Sequence, residues 1–431
     1  MKIYMESYGC SANQAASEIM LGLLSNNSQI TSRLEEAEVI IINSCIVKPP
    51  TEAKILFQIK KIVEKYPHKK LIVAGCMPEV YSAKIKKAAP NASMIGIHHL
   101  SEIETIAYDA VRGIQRVEIG HTTSPKLGFP RKRFNEKIGI VQIAQGCVSS
   151  CSYCIVKRVM GALISYPEEL IIDEVKKCVL QGCKEIRLTA QDTTAYGLDR
   201  GTTLPSLLQS IAQFDGDFRV RVGMMNPATA YPLVDDLTEV FKQSKIYKFI
   251  HLPIQSGSNV VLSRMNRNYT VERFLEIVNR FRSVFPDISL STDIIIGYPG
   301  ETDEQFEESF NIIKKLRPDI VNVSKFGSRA QTPAAKLTPI SSQTVKNRSR
   351  KLATLCHKIA LEKNKKWVER EETVLIVGRG KKGGLEGRTS TYKPVIIDTQ
   401  NFDLLGHLIK VNIIGAKHSC LLGNISKELI R

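Results

Sequence analysis

The chain predicts an α/β protein built in three parts. A parallel α/β sheet comes first, an open barrel resembling part of a TIM barrel follows, and a small β-barrel ends the chain. Three observations predict this. Apolar strands alternate with helical stretches from residue 2 to about 335. The repeat lengthens after about residue 135. Beyond Glu371-Glu372 the pattern turns to β-branched runs punctuated by glycine. A length of 431 residues suits two or three domains, and the boundaries are read at 1–125, 135–366 and 370–431.

In the first part, strands are expected at Lys2–Cys10, Ala37–Cys45 and Lys70–Cys76, with helices at Gln14–Leu24, Thr51–Tyr66 and Met77–Ala88. The second strand carries consecutive apolar residues, as a strand covered on both faces requires. Cys10, Cys45 and Cys76 each stand at the C-terminal end of a strand. Those ends share one edge of a parallel sheet, the edge where open α/β sheets place ligands. Three thiols far apart in sequence can therefore meet, as a second three-thiolate site or as small apolar plugs. Gly9 and Gly75 beside them suit close backbone approach to a bulky inorganic group.

The central part offers six strands: Lys137–Ala144, Glu185–Ala190, Arg219–Met224, Phe249–Ile254, Ser289–Ile296 and Ile320–Phe326. Helices fall between them, and Thr302 with Gln305 forms a capping box for the last. Six βα units are two short of a closed barrel. After the first strand comes Cys147-x3-Cys151-x2-Cys154. A structural zinc would want a fourth ligand, commonly a second Cys-x2-Cys, and none follows nearby. Three thiolates suggest a [4Fe-4S] cluster with one iron open to a non-protein ligand; buried free cysteines are the plainer alternative. Gln191, Asn226 and Gln255 lie in polar loops on the same C-terminal rim, the catalytic face of such barrels.

Charge points to a partner. Lys and Arg number 60 against 43 Asp and Glu, a net charge of +17, which suits a polyanion such as nucleic acid. From Ser341 onward there are 18 basic and 8 acidic residues. This stretch holds an expected basic helix, Thr338–Val368, and strands at Thr373–Val377, Val395–Ile397 and Leu408–Ile414. Arg379, Lys381, Lys382 and Arg388 flank the turns of the small barrel, where phosphate contacts are expected. No apolar run approaches the roughly 18 residues of a membrane span. Met1-Lys-Ile-Tyr-Met-Glu6 lacks the apolar core of a signal peptide, so a cytoplasmic protein with no membrane partner is expected. Ten cysteines are too sparse for a disulfide scaffold; Cys178, Cys183, Cys356 and Cys420 match no cluster motif and are taken as structural.

These residues also carry a family resemblance. Cys147-x3-Cys151-x2-Cys154, with Tyr153 before the last cysteine, resembles the radical S-adenosylmethionine (SAM) motif. Asn43-Ser-Cys45-Ile-Val-Lys48, Gly75-Cys76-Met77, His251-Leu-Pro-Ile-Gln-Ser-Gly-Ser258 and Asp293-Ile-Ile-Ile-Gly-Tyr-Pro-Gly-Glu-Thr302 resemble motifs of the methylthiotransferases. The likeness covers essentially the whole chain, including a C-terminal TRAM domain, a small RNA-binding β-barrel. Leu188-Thr-Ala-Gln-Asp-Thr-Thr-Ala-Tyr-Gly197, Gly201-Thr-Thr-Leu-Pro205, Arg221-Val-Gly-Met-Met-Asn-Pro227 and Thr332-Pro-Ala-Ala-Lys336 are similar to one branch of that family. It is the archaeal and eukaryotic branch acting on N6-threonylcarbamoyladenosine (t6A) at tRNA position 37. The eukaryotic members carry an added hydrophobic tail, so an archaeal origin is expected. Where the family usually shows Arg-Gly after the cluster motif, this chain has Met160-Gly161.

The resemblance implies two [4Fe-4S] clusters. One, on Cys147, Cys151 and Cys154, would bind SAM and, given an electron from an electron donor, yield a 5′-deoxyadenosyl radical. That radical would take the unactivated C2 hydrogen of the modified adenine, chemistry beyond acid–base catalysis. The other, on Cys10, Cys45 and Cys76, would present sulfur, and a second SAM would donate the methyl group. Tyr153, Gln191, Asn226 and Gln255 are candidate SAM or substrate contacts. The basic helix and TRAM barrel would hold the tRNA while its anticodon-loop base is unstacked. The alternatives are methylthiolation of isopentenyladenosine in tRNA or of a ribosomal-protein aspartate, or a non-catalytic RNA-binding protein with structural metal.

Overall fold

The computed structural model describes residues 1–47, 49–380 and 383–426. Lys48, Lys381 and Lys382, named above, lie outside the described residues. The N-terminal sheet has six parallel strands: β1 (Lys2–Ser7), β2 (Gln29–Ile30), β3 (Val39–Ser44), β4 (Lys70–Gly75), β5 (Ser93–Gly96) and β6 (Val117–Glu118). Their order is β2-β1-β3-β4-β5-β6. Every residue of β3 is buried, because helices Ser11–Leu24 and Pro49–Lys65 and their neighbours cover both faces. The expected strands ran through the cysteines, whereas each observed strand stops short of its cysteine. Cys10 instead caps helix Ser11–Leu24, and Cys76 begins helix Cys76–Ala88.

In the central part, β7 (Ile138–Gln142) leads into a short antiparallel pair, β8 (Ala144–Gln145) and β9 (Ile164–Ser165), which closes the base of the Cys147–Cys154 loop. Then come β10 (Glu185–Thr189), β11 (Arg219–Arg221), β12 (Phe249–His251), β13 (Ser289–Ile296) and β14 (Ile320–Lys325). Two parallel ladders, β7-β10-β11 and β12-β13-β14, are joined by the bridges Val220–Ile246 and Met224–His251. The six expected strands thus form one arc in chain order, the open barrel. β12 ends at His251 instead of Ile254, since Pro253 has no N–H to give a ladder. The capping box of Thr302 and Gln305 is present on helix Asp303–Leu316.

Helix Ser342–Lys365 runs back along the arc. Near its start, Val345 packs on Gly297 and Arg348 donates to Glu301 at 2.9 Å, both beyond the C-terminal end of β13. Near its end, Lys363 donates to Asp319 at 2.5 Å, just before β14 begins. At 24 residues it is about 36 Å long.

The C-terminal barrel closes in the order β15-β16-β17-β19-β18, from β15 (Glu371–Arg379), β16 (Leu385–Thr389), β17 (Pro394–Ile397), β18 (Leu408–Ala416) and β19 (Leu421–Ile425). Three of these were expected. Glycine hides the other two: a Cβ on Gly387 or Gly423 would meet Val374 or Val411 at 2.3 Å, so packing demands a residue with low strand propensity. The barrel seats on the N-terminal ends of the arc. There Tyr392 donates to buried Glu185 at 3.0 Å, Lys248 N donates to Ser390 O, and Lys393 pairs with Asp319 at 2.7 Å. Among the described residues no helix is long and apolar enough to cross a membrane.

Candidate functional site

β1, β3 and β4 are neighbours in the sheet, so Cys10, Cys45 and Cys76 leave it at one edge. The thiols are close enough for their charges to interact. Gly9 and Gly75 hold positive φ, +112° and +92°. A Cβ on Gly9 would meet the Cys45 sulfur at 2.9 Å, and one on Gly75 would meet Asn43 Oδ1 at 2.3 Å. Glycine is required at both positions by conformation and by space.

Cys147, Cys151 and Cys154 lie in a loop tied down from several sides. Gly146, at φ +77°, crosses Ala162 so closely that a Cβ would stand 1.7 Å from its carbonyl oxygen. Cys147 N donates to Gly161 O at 3.2 Å, Ser152 N to Met265 O at 3.0 Å, and Asn266 Nδ2 to Ser150 O at 2.7 Å. Arg267 Nη1 donates to the Cys151 sulfur at 3.2 Å and Nη2 to Asn226 Oδ1 at 3.0 Å. Asn226 Nδ2 in turn donates to Ser149 Oγ at 3.0 Å. Behind Asn226, buried Asp192 accepts from Asn226 N, Thr194 and Thr229.

Of the four candidate contacts, Asn226 joins the cysteine loop directly. Tyr153 packs with Val261, Met265, Tyr298 and Ala334. Gln191 Oε1 is buried without a hydrogen-bond partner, an acceptor left unspent on this rim. Gln255 holds a left-handed backbone, φ +68°, bonded to Asp293 and Ile295 of β13. Met160 is buried among the apolar residues of the N-terminal part, with Ile155 and Val159; it packs the two parts together where an arginine would bring charge.

A segment beyond β14 links the two cysteine sets. Gly327 meets Pro49, Arg329 Nη1 donates to Glu52 at 2.7 Å with its charge felt at Cys45, and Ala334 N donates to Ser152 O at 2.9 Å. Beside Cys76 and Glu79 lies Lys126, whose buried Nζ has no hydrogen-bond partner. Burial pushes its ammonium down to about 8, against the pull of Cys76 and Glu79. Arg267, Arg329 and Lys126 escaped the sequence reading, since each partner is remote in sequence.

Burial, then the neighbouring thiols, pushes Cys154 up to about 11 and Cys76 further still. Such thiols ionise only beside a cation, which an iron bound there would supply. Among the described residues no three His, Cys, Asp or Glu side chains converge on a single metal ion. Thiolates are nevertheless the donors that iron–sulfur clusters take. The donor sets suit iron–sulfur ligation.

Residues 141–313 match the radical SAM superfamily and residues 2–96 the uncharacterized protein family UPF0004. Among solved structures, the radical SAM methyltransferase TsrM of Kitasatospora setae superposes with TM-score 0.57 at 14% identity, over 78% of this chain and 75% of its own. The cobalamin-dependent radical SAM enzyme OxsB superposes with TM-score 0.52 at 11% identity, over 82% of this chain and 56% of its own. Both share the fold. A Methanothermobacter thermautotrophicus protein named "Probable threonylcarbamoyladenosine tRNA methylthiotransferase" is 43% identical, over 93% of this chain and 94% of its own. One of the same name from Pyrococcus abyssi is 43% identical over 99% of both. The Drosophila melanogaster threonylcarbamoyladenosine tRNA methylthiotransferase is 31% identical over 98% of this chain and 77% of its own. With its cysteine sets placed and its whole length matched, the chain belongs to the threonylcarbamoyladenosine tRNA methylthiotransferase family of the radical SAM superfamily.

Proposed function

We propose that the protein adds a methylthio group to C2 of t6A at position 37 of tRNA, in the cytoplasm, with electrons from an electron donor. The observation that carries this is the pair of three-cysteine sets, linked by residues 327–334 in a chain similar end to end to relatives of that name. Cys147, Cys151 and Cys154 hold one [4Fe-4S] cluster, and Cys10, Cys45 and Cys76 hold a second. When bound, these clusters and SAM supply a radical able to take an unactivated C–H hydrogen, and the sulfur to replace it.

The chain's own residues position this chemistry. Arg267 offsets thiolate charge at Cys151, and Asn226, fixed by Asp192, orients Arg267. Tyr153 and its apolar neighbours keep water from one side of the loop. Gln191, Asn226 and Gln255 contact SAM or the base from the rim. Residues 1–125 carry the sulfur-bearing site, 135–366 the radical site, and 370–431 the RNA-binding barrel. The test is mass spectrometry of nucleosides in tRNA from a deletion strain. Loss of 2-methylthio-t6A is expected; its persistence, or loss of the isopentenyl analogue instead, overturns the assignment.

A further inference from the structure

Lys126 is 6% exposed, and its Nζ has no hydrogen-bond partner among the described residues. An ammonium has three donors and no acceptor, and burying it uncompensated is costly. Its position is nevertheless fixed. The segment around it is clamped to the central part: Gln145 Nε2 donates to Thr122 O at 2.7 Å, Gly128 N to Glu174 Oε2 at 2.9 Å, and Arg131 Nε to Glu174 Oε1 at 2.7 Å. The titratable groups it interacts with are Cys76, Glu79 and His98, of which the first two favour its charge. Glu79 Oε2 accepts from Gly120 N at 2.9 Å; its Oε1 is buried and, like Lys126 Nζ, has no hydrogen-bond partner among the described residues, so no hydrogen bond joins the two.

We propose that Lys126 is a positioning residue that holds a sulfur anion of the hydrosulfide class at the Cys10, Cys45 and Cys76 site. Three thiolates, their cluster and an added sulfide carry net negative charge, and Lys126 is the buried cation beside Cys76 that offsets it. The ammonium donates to a lone pair of the sulfur, which keeps the anion bound and leaves its other lone pairs free. This rests on the two-cluster reading above.

The test uses the full-length chain with Cys147, Cys151 and Cys154 all changed to Ala, so that any remaining cluster belongs to the other set. Lys126→Met and Lys126→Arg are compared in that background for iron content, cluster midpoint potential by EPR-monitored titration, and affinity for sodium hydrosulfide. Lys126→Met is expected to keep its iron, move the potential negative and weaken hydrosulfide binding at least tenfold; Lys126→Arg should restore both. An unchanged potential and affinity in Lys126→Met overturns the inference and leaves the two-cluster reading standing. So does selective loss of binding to t6A-containing over unmodified tRNA, which would assign the lysine to the substrate carboxylate. A background chain that takes up no iron overturns the two-cluster reading, and the inference with it.

Discussion

Arg267 reaches across 116 positions to donate Nη1 to the Cys151 sulfur at 3.2 Å. Its other arm bonds Asn226 Oδ1, and Asn226 is held through its backbone by Asp192. A cation hydrogen-bonded to a ligand sulfur lowers the cost of thiolate charge and fixes the loop. Arg267→Met is expected to cut SAM cleavage to 5′-deoxyadenosine by about 10- to 100-fold, the usual cost of losing such a partner. Arg267→Lys should recover part of that loss. Cleavage at the parent rate in Arg267→Met, measured with dithionite, would contradict the role.

The two cysteine sets separate by product. Cys→Ala at 147, 151 or 154 should abolish SAM cleavage and methylthiolation together. Cys→Ala at 10, 45 or 76 should leave reductive SAM cleavage intact and abolish methylthiolation alone. Each complete set should account for about four irons after anaerobic reconstitution. Methylthiolated product from a Cys45→Ala enzyme would sink the second-cluster assignment, and zinc in place of iron would sink both.

Arg329 tests how firmly the linking segment is held. Its Nη1 meets Glu52 at 2.7 Å, both side chains nearly buried, and Lys84 shares that carboxylate at 2.7 Å. Removing one member of a buried pair leaves the other uncompensated, at about 3–5 kcal/mol. Here Lys84 stays to offset Glu52, so Arg329→Met should fall at or below the low end of that range, and Glu52→Gln, which strands Arg329, should cost more. Thermal melts of the two variants give the order; the reverse order would mean that Lys84 does not compensate the carboxylate.

Acid should loosen the C-terminal barrel at one residue. Burial alone would raise the Asp319 carboxyl, but the ammonium groups of Lys393 and Lys363 outweigh it and hold the group below the ordinary carboxylate range. The folded value lies under the unfolded one, so this stabilisation is complete above the unfolded value, about 3.9. It fades as pH falls through the folded value. Lys393 belongs to the barrel and Lys363 to helix Ser342–Lys365. Limited proteolysis below about pH 4 should therefore cut near residues 366–370 in the parent chain, while Asp319→Asn should show the same cleavage at neutral pH. Equal resistance of Asp319→Asn at neutral pH would remove the ion pairs from this role.

Much of this was legible because it depends on local order. Strand ends of a parallel sheet share an edge, so Cys10, Cys45 and Cys76 could be brought together from element type alone. The six strands of the arc follow chain order, and their bridges join them in that order. What stayed hidden depends on partners far along the chain: Arg329 and Glu52 are 277 positions apart, and Lys126 sits in an irregular linker where no periodicity marks burial. Arg388 misled in the opposite sense. Expected at a phosphate, it bonds Glu386 at 2.7 Å and lies over the Tyr392 ring, against the central part. β16 and β19 were missed because glycine, chosen for close packing, erases the strand signal.

The basic helix connects the two ends of the proposed RNA path. Lys346, Arg350, Lys358 and Lys365 are exposed, at spacings that keep them on one side of helix Ser342–Lys365. Its first turns pack beside the rim beyond β13, and its last turn reaches the barrel, where Arg379 stacks on Phe402 at 4.3 Å. Arg348 and Lys363, by contrast, are consumed by Glu301, Asp303 and Asp319. Among the described residues no salt bridge or hydrogen bond is seen for the side chains of the exposed four, which leaves them to meet phosphates, whereas the paired two hold the helix in place. Replacing any one of the four with Ala should weaken tRNA binding similarly for modified and unmodified tRNA, and lower the slope of log affinity against log salt by about 1. Arg348→Ala should instead lower the melting temperature. If the four variants kept the parent salt slope, the RNA would take a different route to the rim, and the helix would serve only to seat the barrel.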